Sequence, residues 1–463
     1  MSDWLPDIAL RPGPRYLAIV AAIADAIDDG RLRPGDRLPP RRRLAWRLQV
    51  SVQTVSAAYV EAERRGLVVG EVGRGTFIQS RGGGEEARFI MQRRQADVID
   101  LSICRPARAP NHVERLRQLF AELSADADMD PMLACRPLVG MDRHRAAAAR
   151  WLEGLGVPAA PERVVITNGC AHALLVALAT LTEPGNLVLT DRLTDHGLIS
   201  LATVLHFRLR GLPCDGEGIL PEAFEQACRA GDVKVLVTTP TLNNPTSTLM
   251  GADRRRRIAA IAEAHGVAVV EDDVFRPLVA DPPPTLASFL PDLAFHITSF
   301  TKSTVSGLRT GYLTAPAGTI ERLTARVRTT SWMASALLAE IATRWIEDGT
   351  ARDMAAWQRN ELAARQAIAA EVLAGQQIAA HPTGINAWLT LPGDWRADNF
   401  VAQLRLQGVA AAASEPFVVG RHAQPHAVRL SLGAPATRGQ LREGLDRVAA
   451  LLQQSPEPAL LTV

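Results

Sequence analysis

Lysine, tyrosine and cysteine are scarce in this chain, and each scarcity excludes something. Of 51 basic residues only Lys234 and Lys302 are lysines. A genomic bias toward arginine explains such a ratio, but it leaves two lysines that each need a reason. Tyrosine occurs only at Tyr16, Tyr59 and Tyr312, so a site built on phenol groups has very little to draw on. The five cysteines are odd in number and show no C-x-x-C spacing, which argues against a disulfide framework and against a zinc site; no metal is expected. His422 and His426 have helical metal-pair spacing, but Pro425 between them breaks the helix such a pair needs. No apolar run reaches the roughly 18 residues of a membrane-spanning helix. The best, residues 173–181, reads as a buried helix. The opening MSDWLPDIAL has neither a basic start nor a long apolar stretch, so no secretory signal is visible and a cytoplasmic location, with no membrane partner, is expected.

What is present fits a soluble globular protein. Hydrophobic residues make up 47% and charged residues 22% of the chain, which excludes wholesale disorder. The formal net charge is only +2, but it is uneven. Residues 1–79 hold twelve arginines against nine acids, and 31–47 hold seven arginines against Asp36 alone. A charge run is by itself a solvated face, so context must decide what it does.

Residues 80–96 (SRGGGEEARFIMQRRQA) form the one clear linker, with three consecutive glycines, mixed charge and little periodicity. It separates an N-terminal unit, 1–79, from a much longer one, 97–463. In the first unit, Ile19, Ile23 and Ile27 set a helix over 16–29 that stops at Gly30. Pro39 and Pro40 open a short helix over 41–48. Ser51 caps a third, running to about Arg65 and ending at Gly66. Two short strands, 67–70 and 76–79, flank a turn at 71–75. Two helices joined by a tight turn and followed by a hairpin wing make a winged helix-turn-helix. Reading DNA asks for polar groups at the start of the second of those helices. Ser51, Gln53, Thr54 and Ser56 stand there, with Val52, Val55 and Tyr59 expected on the packing face. Arg42 and Arg43 suit phosphates or guanine edges, and Arg74, between two glycines of the wing, suits a minor groove. The string LRPGDRLPPRRRLAWRLQVSVQTVSAAYVEAERRGLVVGEVGRGTFI resembles the winged-helix domain of GntR-type bacterial regulators over residues 14–79, which implies double-stranded operator DNA as a partner.

In the longer unit, strand-like runs at 164–167, 187–189, 235–238, 267–270 and 295–298 alternate with helical stretches such as 171–181 and 254–265. That alternation predicts βαβ units and a mainly parallel sheet, whose ligands sit beyond the carboxyl ends of the strands. The residues there match the needs of pyridoxal 5'-phosphate. A lysine amine must hold its aldehyde, a carboxylate must keep its ring nitrogen protonated, and its phosphate needs backbone N–H groups at a helix start with a cation nearby. Asn168, Gly169, Cys170 and Ala171 open a helix after the first strand. Asp272 follows the fourth and suits the ring nitrogen. Ser299 and Lys302 follow the fifth, with Arg309 beyond them; Lys302 is the catalytic-type lysine, and Ser299 and Arg309 suit the phosphate. Asn244 suits the ring hydroxyl oxygen.

Residues 97 to about 455 resemble the fold-type I aminotransferase family, and fusion to a GntR-type winged helix is the arrangement of the MocR subfamily. The expected fold is therefore an N-terminal winged helix-turn-helix plus an α/β, pyridoxal phosphate-dependent aminotransferase-like domain. The resemblance implies a homodimeric transcriptional regulator whose second domain senses a small-molecule effector, an amine or amino acid, through the cofactor. It also implies that Arg429 pairs with an α-carboxylate. The alternatives are an aminotransferase with an attached DNA-binding unit, and a regulator that has lost the cofactor and binds another ligand.

The departures from the family bear on this choice. Phe275 stands where relatives commonly have a tyrosine facing the ring oxygen, Asp195 where a tyrosine stacks on the ring, and Cys135 where the partner subunit lends a tyrosine to the phosphate. Thr301 and Ser247 replace a usual serine and glycine. Fewer contacts imply a weaker hold on the cofactor, and efficient transamination is not expected. His172 and Cys170 beside the phosphate loop read first as packing residues, and only second as ligand contacts or a reactive thiol.

Overall fold

A computed structural model describes residues 4–8, 13–28, 31–32, 36–65, 67–71, 75–78, 98–126, 130–133, 135–393, 395–420 and 424–454. The chain falls into two compact units, one formed by residues 1–96 with 420–425 and the other by 97–419 with 426–463.

The first unit packs α1 (Arg15–Asp28), α2 (Arg41–Leu48) and α3 (Val52–Arg64) against a hairpin of β1 (Val68–Glu71) and β2 (Gly75–Ile78). The α2 helix follows Pro40 and stops at Gln49, whose φ of 52° turns the chain out of the helix. Ser51 then caps α3, its Oγ accepting from the Thr54 N–H at 3.0 Å. Ile19, Ile23, Leu44, Val55, Tyr59 and Ile78 form the core. The buried Tyr59 hydroxyl donates to the Pro39 carbonyl at 2.7 Å and ties α3 to the start of α2. Val52 departs from expectation. It is 45% exposed rather than packed, because the first residue of α3 lies before the turn that reaches the core.

The second unit is built on a seven-stranded sheet. Its strands are β3 (Val164–Thr167), β4 (Leu187–Asp191), β5 (Arg208–Leu212), β6 (Val233–Thr238), β7 (Ala268–Asp272), β8 (Ala294–Ser299) and β9 (Gly311–Thr314), in the order β3-β9-β8-β7-β6-β4-β5. All run parallel except β9, which is antiparallel to both β8 and β3. Alternation of side chains along each strand feeds two separate cores. Val188, Val235 and Val270 pack on one face with α4 (Cys170–Leu181), while Leu189, Leu236 and Val269 pack on the other with α6 (Ala252–His265); α5 (His196–Val204) follows β4. The strands β5 and β9 are absent from the sequence reading for identifiable reasons. The first is an edge strand whose arginines face solvent, and the second is four residues long and opens with Gly311.

A smaller antiparallel sheet joins β10 (Ile378–Ala380), β11 (Asn386–Thr390), β13 (Ala427–Ser431) and β12 (Ala412–Ala413), in that order. It packs around Trp395, Phe400 and the helix Arg438–Leu452. No helix among the described residues is long and apolar enough to cross a membrane.

Candidate functional site

The carboxyl ends of β3, β7 and β8 open on one cavity of about 590 Å³, lined among others by Cys170, Ala171, Asn244, Asp272, Phe275, Ser299, Lys302 and Arg309. Residues up to 141 positions apart, Asn168 and Arg309, thus face one space.

One end of it is an anion cradle. Gly169 has φ 82° and precedes the first turn of α4. Arg309, itself at φ 49°, lays its guanidinium so close that a Cβ at position 169 would stand 2.9 Å from Nη2. A Cβ on Gly311 would stand 2.7 Å from the Gly169 carbonyl carbon, so glycine is required on both sides of this approach. Gly169 does not itself line the cavity; its missing side chain lets Arg309 reach it. The N–H groups of the first turn of α4, the guanidinium and the Ser299 hydroxyl are donors of the kind that can hold a dianion. Ser299 donates to Thr301 Oγ1 at 3.0 Å and accepts from the Thr301 N–H at 3.2 Å.

Asp272, the last residue of β7, lines the cavity. Its neighbours are committed elsewhere. Glu271 accepts from the N–H groups of Leu286 and Ala287, both at 3.0 Å. Asp273 pairs with His296 at 3.2 Å and Arg276 at 3.3 Å. Strand alternation therefore selects Asp272 from three consecutive acids. Burial, with a further contribution from the Asp195 charge, pushes its carboxyl up to about 7. A carboxyl whose one hydrogen bond among the described residues is a 3.4 Å contact from the Val274 N–H is suited to a protonated ring nitrogen.

Lys302 Nζ lies 2.5 Å from the Cys104 carbonyl, to which it donates, and 5.8 Å from the centre of the Phe275 ring. Asn244 donates through Nδ2 to Asp195 at 2.7 Å and accepts at Oδ1 from Arg429 at 2.8 Å. Arg429 does not line the cavity. It stands behind Asn244, donates also to the Ser102 carbonyl, and lies 4.8 Å from the centre of the Phe417 ring. Burial holds this guanidinium below its ordinary pKa.

Of the residues that depart from the family pattern, Phe275, Asp195 and Thr301 line the cavity, and Cys135 and Ser247 do not. Phe275 is buried against the cavity and has no hydroxyl to offer. Asp195 lines the cavity and caps α5, accepting from the Gly197 N–H at 2.8 Å. Burial works against its charge, but His196, the Gly197 N–H, Lys302 and Arg429 together hold it below the usual carboxylate range. Cys135 is exposed and meets Trp332 through its carbonyl at 2.9 Å. Tyr312 is buried in the core edge-on to Phe300, at 5.7 Å between ring centres. No tyrosine lines the cavity among the described residues. His172 lines it, but its ring is fixed by the Asn168 N–H at 3.1 Å and Thr330 Oγ1 at 2.8 Å. Cys170 also lines it, and burial pushes its thiol pKa well up, which fits a packing residue rather than a reactive thiol.

Sequence reasoning missed the carbonyls of Ser102 and Cys104, Phe417 beneath Arg429, and Asn386, whose Nδ2 reaches Asn244 Oδ1 at 3.5 Å. Except for Phe417, twelve positions before Arg429, these contacts join segments more than 140 positions apart, and no local pattern announces them. In the first unit Arg42, Arg43, Ser51 and Gln53 are exposed and Thr54 is half-buried. The hydroxyls of Ser51 and Thr54 lie 2.8 Å apart, so Ser51 serves the helix cap as well as the surface. Arg74 lies outside the described residues, as does His422.

Residues 96–448 match the family described as aminotransferase class I and II, and residues 15–78 match bacterial regulatory proteins of the gntR family. The chain is 30% identical over 450 residues to an uncharacterized HTH-type transcriptional regulator, YdeF of Bacillus subtilis, covering 97% of each chain. It is 30% identical over 426 residues to the vitamin B6 salvage pathway transcriptional repressor PtsJ of Salmonella typhimurium, covering 89% of this chain and 93% of that one. Among solved structures it resembles LysN, an α-aminoadipate aminotransferase of Thermus thermophilus complexed with N-(5'-phosphopyridoxyl)-L-leucine. That match has a TM-score of 0.71 and 22% identity, and covers 80% of this chain and 97% of that one.

Proposed function

The chain belongs to the aminotransferase class I and II family and carries a gntR-family domain, and from that premise we propose that it is a DNA-binding transcriptional regulator of the MocR type. Its aminotransferase-like domain would sense an amine or amino acid through pyridoxal phosphate on Lys302. The observation that carries this reading is the convergence of Lys302, Asp272, Asn244 and the Arg309 cradle on one cavity. The match to PtsJ, a transcriptional repressor by name, supports the regulatory half.

The residues fit the cofactor. The first-turn N–H groups of α4, Ser299 and Arg309 would hold the phosphate. Asp272 would hold the proton on the ring nitrogen, Asn244 would donate to the ring oxygen, and Lys302 would hold the aldehyde carbon. When bound, pyridoxal phosphate supplies an electron sink for an amine. Arg429, which stands behind Asn244, would pair with the effector's carboxylate once its bond to Asn244 is released, and that exchange would make the cofactor and effector contacts interdependent. The cavity lacks the ring hydroxyl and stacking ring that relatives use, which favours sensing over turnover. Losing a stacking aromatic costs on the order of 1 kcal/mol of binding.

We place the DNA reader in residues 1–79, the linker in 80–96 and the effector domain in 97–463. The protein would act as a homodimer in the cytoplasm, with Arg42, Arg43, Ser51, Gln53, Thr54 and Arg74 on the DNA. Selection of bound fragments from a genomic library by the full chain tests this directly. The expected result is one recurring sequence whose affinity shifts when pyridoxal phosphate and an amino acid are added. Unselective binding, or specific binding retained after deletion of 1–79, contradicts it.

A further inference from the structure

Four consecutive arginines, 254–257, lie on α6, and three of them are surface pairs. Arg254 bonds Asp215, Arg256 bonds Asp253 and Arg257 bonds Glu222. Arg255 is different: its side chain is wholly buried. A buried guanidinium is costly unless its donors are satisfied, and Arg255 spends them on two elements at once. Nε donates to the Met250 carbonyl at 2.9 Å, and Nη2 donates to the Pro240 carbonyl at 3.0 Å and Thr241 Oγ1 at 2.9 Å. Nη1 reaches Glu271 Oε1 at 3.3 Å.

The first three acceptors sit at the two ends of the loop 240–250, which carries Asn244. That loop closes on itself through Met250 N–H to Pro240 O at 2.8 Å, Asn243 N–H to Thr248 O at 2.9 Å and Ser247 N–H to Asn243 O at 2.6 Å. It also holds two residues at positive φ, Leu242 at 56° and Ser247 at 57°, a backbone that L residues adopt only when the surroundings enforce it. The fourth acceptor, Glu271, is the neighbour of Asp272. One planar fork therefore clamps the loop that presents Asn244 to the strand that presents Asp272.

Resting on the cofactor reading above, we propose that Arg255 is a positioning residue: it sets where Asn244 stands relative to Asp272 and so fixes the ring-oxygen contact, without touching the ligand. A lysine cannot replace it, because a single ammonium cannot span these four acceptors in a fixed fork.

The test is a double-mutant cycle on the full chain, with pyridoxal phosphate affinity read by absorbance for Arg255→Lys, Asn244→Ala and the pair. Arg255→Lys weakens binding about tenfold in the native background, and by no more than about twofold when Asn244→Ala is already present. Equal losses in both backgrounds overturn the proposal and leave Arg255 a purely structural residue. Amide hydrogen exchange provides a readout that needs no cofactor. The N–H groups of Asn243, Ser247 and Met250 exchange faster in Arg255→Lys while those of β7 do not; unchanged loop exchange, or equal acceleration in both, also overturns it. If the native chain binds no pyridoxal phosphate, the function proposed above fails and the exchange result alone decides the role of Arg255. If Arg255→Lys does not fold, Thr241→Val, which removes one acceptor and strands no charge, shows the same pattern at smaller amplitude; no shift in that variant overturns the proposal.

Discussion

The two units place their candidate chemistry in opposite physical settings. In the first, Arg42, Arg43, Ser51, Gln53 and Thr54 lie within thirteen positions of one another and mostly in solvent. Their effect rests on charge in a high-dielectric, salt-screened environment. In the second, the groups come from positions 170 to 309 and are enclosed, so desolvation governs them and shifts their protonation. Salt should therefore act on the first unit and pH on the second.

Variants can break or sharpen that contrast. The largest effect is expected for the paired change Arg42→Ala and Arg43→Ala. Operator affinity should fall by at least about tenfold, and the slope of log affinity against log salt should shrink by about 1 for each phosphate contact removed. Fluorescence anisotropy across a salt series measures this, and an unchanged slope would mean that these arginines face away from DNA. Next, Phe275→Tyr restores a hydroxyl to the cavity. It should tighten pyridoxal phosphate binding by about 1.5 kcal/mol, roughly tenfold; no gain would show that the ring oxygen lies out of reach of position 275.

Asp272→Asn probes the enclosed side through pH. The Asp272 carboxyl is raised to about 7 from its ordinary 3.8, mainly by burial. Between those values the native state holds a proton that the unfolded state has released, so the group costs stability progressively as pH rises from about 4 to above 7. In cofactor-free protein the asparagine variant should be more stable than the native chain at pH 8 and little changed at pH 4. Urea unfolding at the two pH values shows whether the gain depends on pH. Asp191, also raised to about 7 by burial, leaves a residual slope of the same sign. The smallest effect belongs to Ser51→Ala, which removes the α3 cap and should cost the first unit about 1 kcal/mol without changing the cofactor titration.

The legibility of each part of the molecule follows from how local its determinants are. The α2 and α3 boundaries are readable because Pro40 and Ser51 act on the adjacent turn, and β7 and β8 because their buried runs end at Asp272 and Ser299. Val52 fails that reading, since an apolar residue at a helix start need not face the core. The cradle is half legible: Gly169 and Arg309 stand out as motif residues, but their contact depends on β9, a strand too short to show periodicity. Arg429 is recognisable by resemblance alone, and its place behind Asn244 depends on the register of the small sheet. Arg255 is invisible in a run of four arginines, because burial distinguishes it and composition does not.

The scarcity of lysine makes the decisive measurement clean. Lys234, the only alternative to Lys302, lies on the surface beside Asp232 at 3.0 Å. Native protein is titrated with pyridoxal phosphate, followed by absorbance, reduced with borohydride and mapped by peptide. The account predicts a saturable visible band and a reduced adduct on Lys302 that disappears in Lys302→Ala. No band, or an adduct only on Lys234, would contradict it and assign the cavity to another ligand.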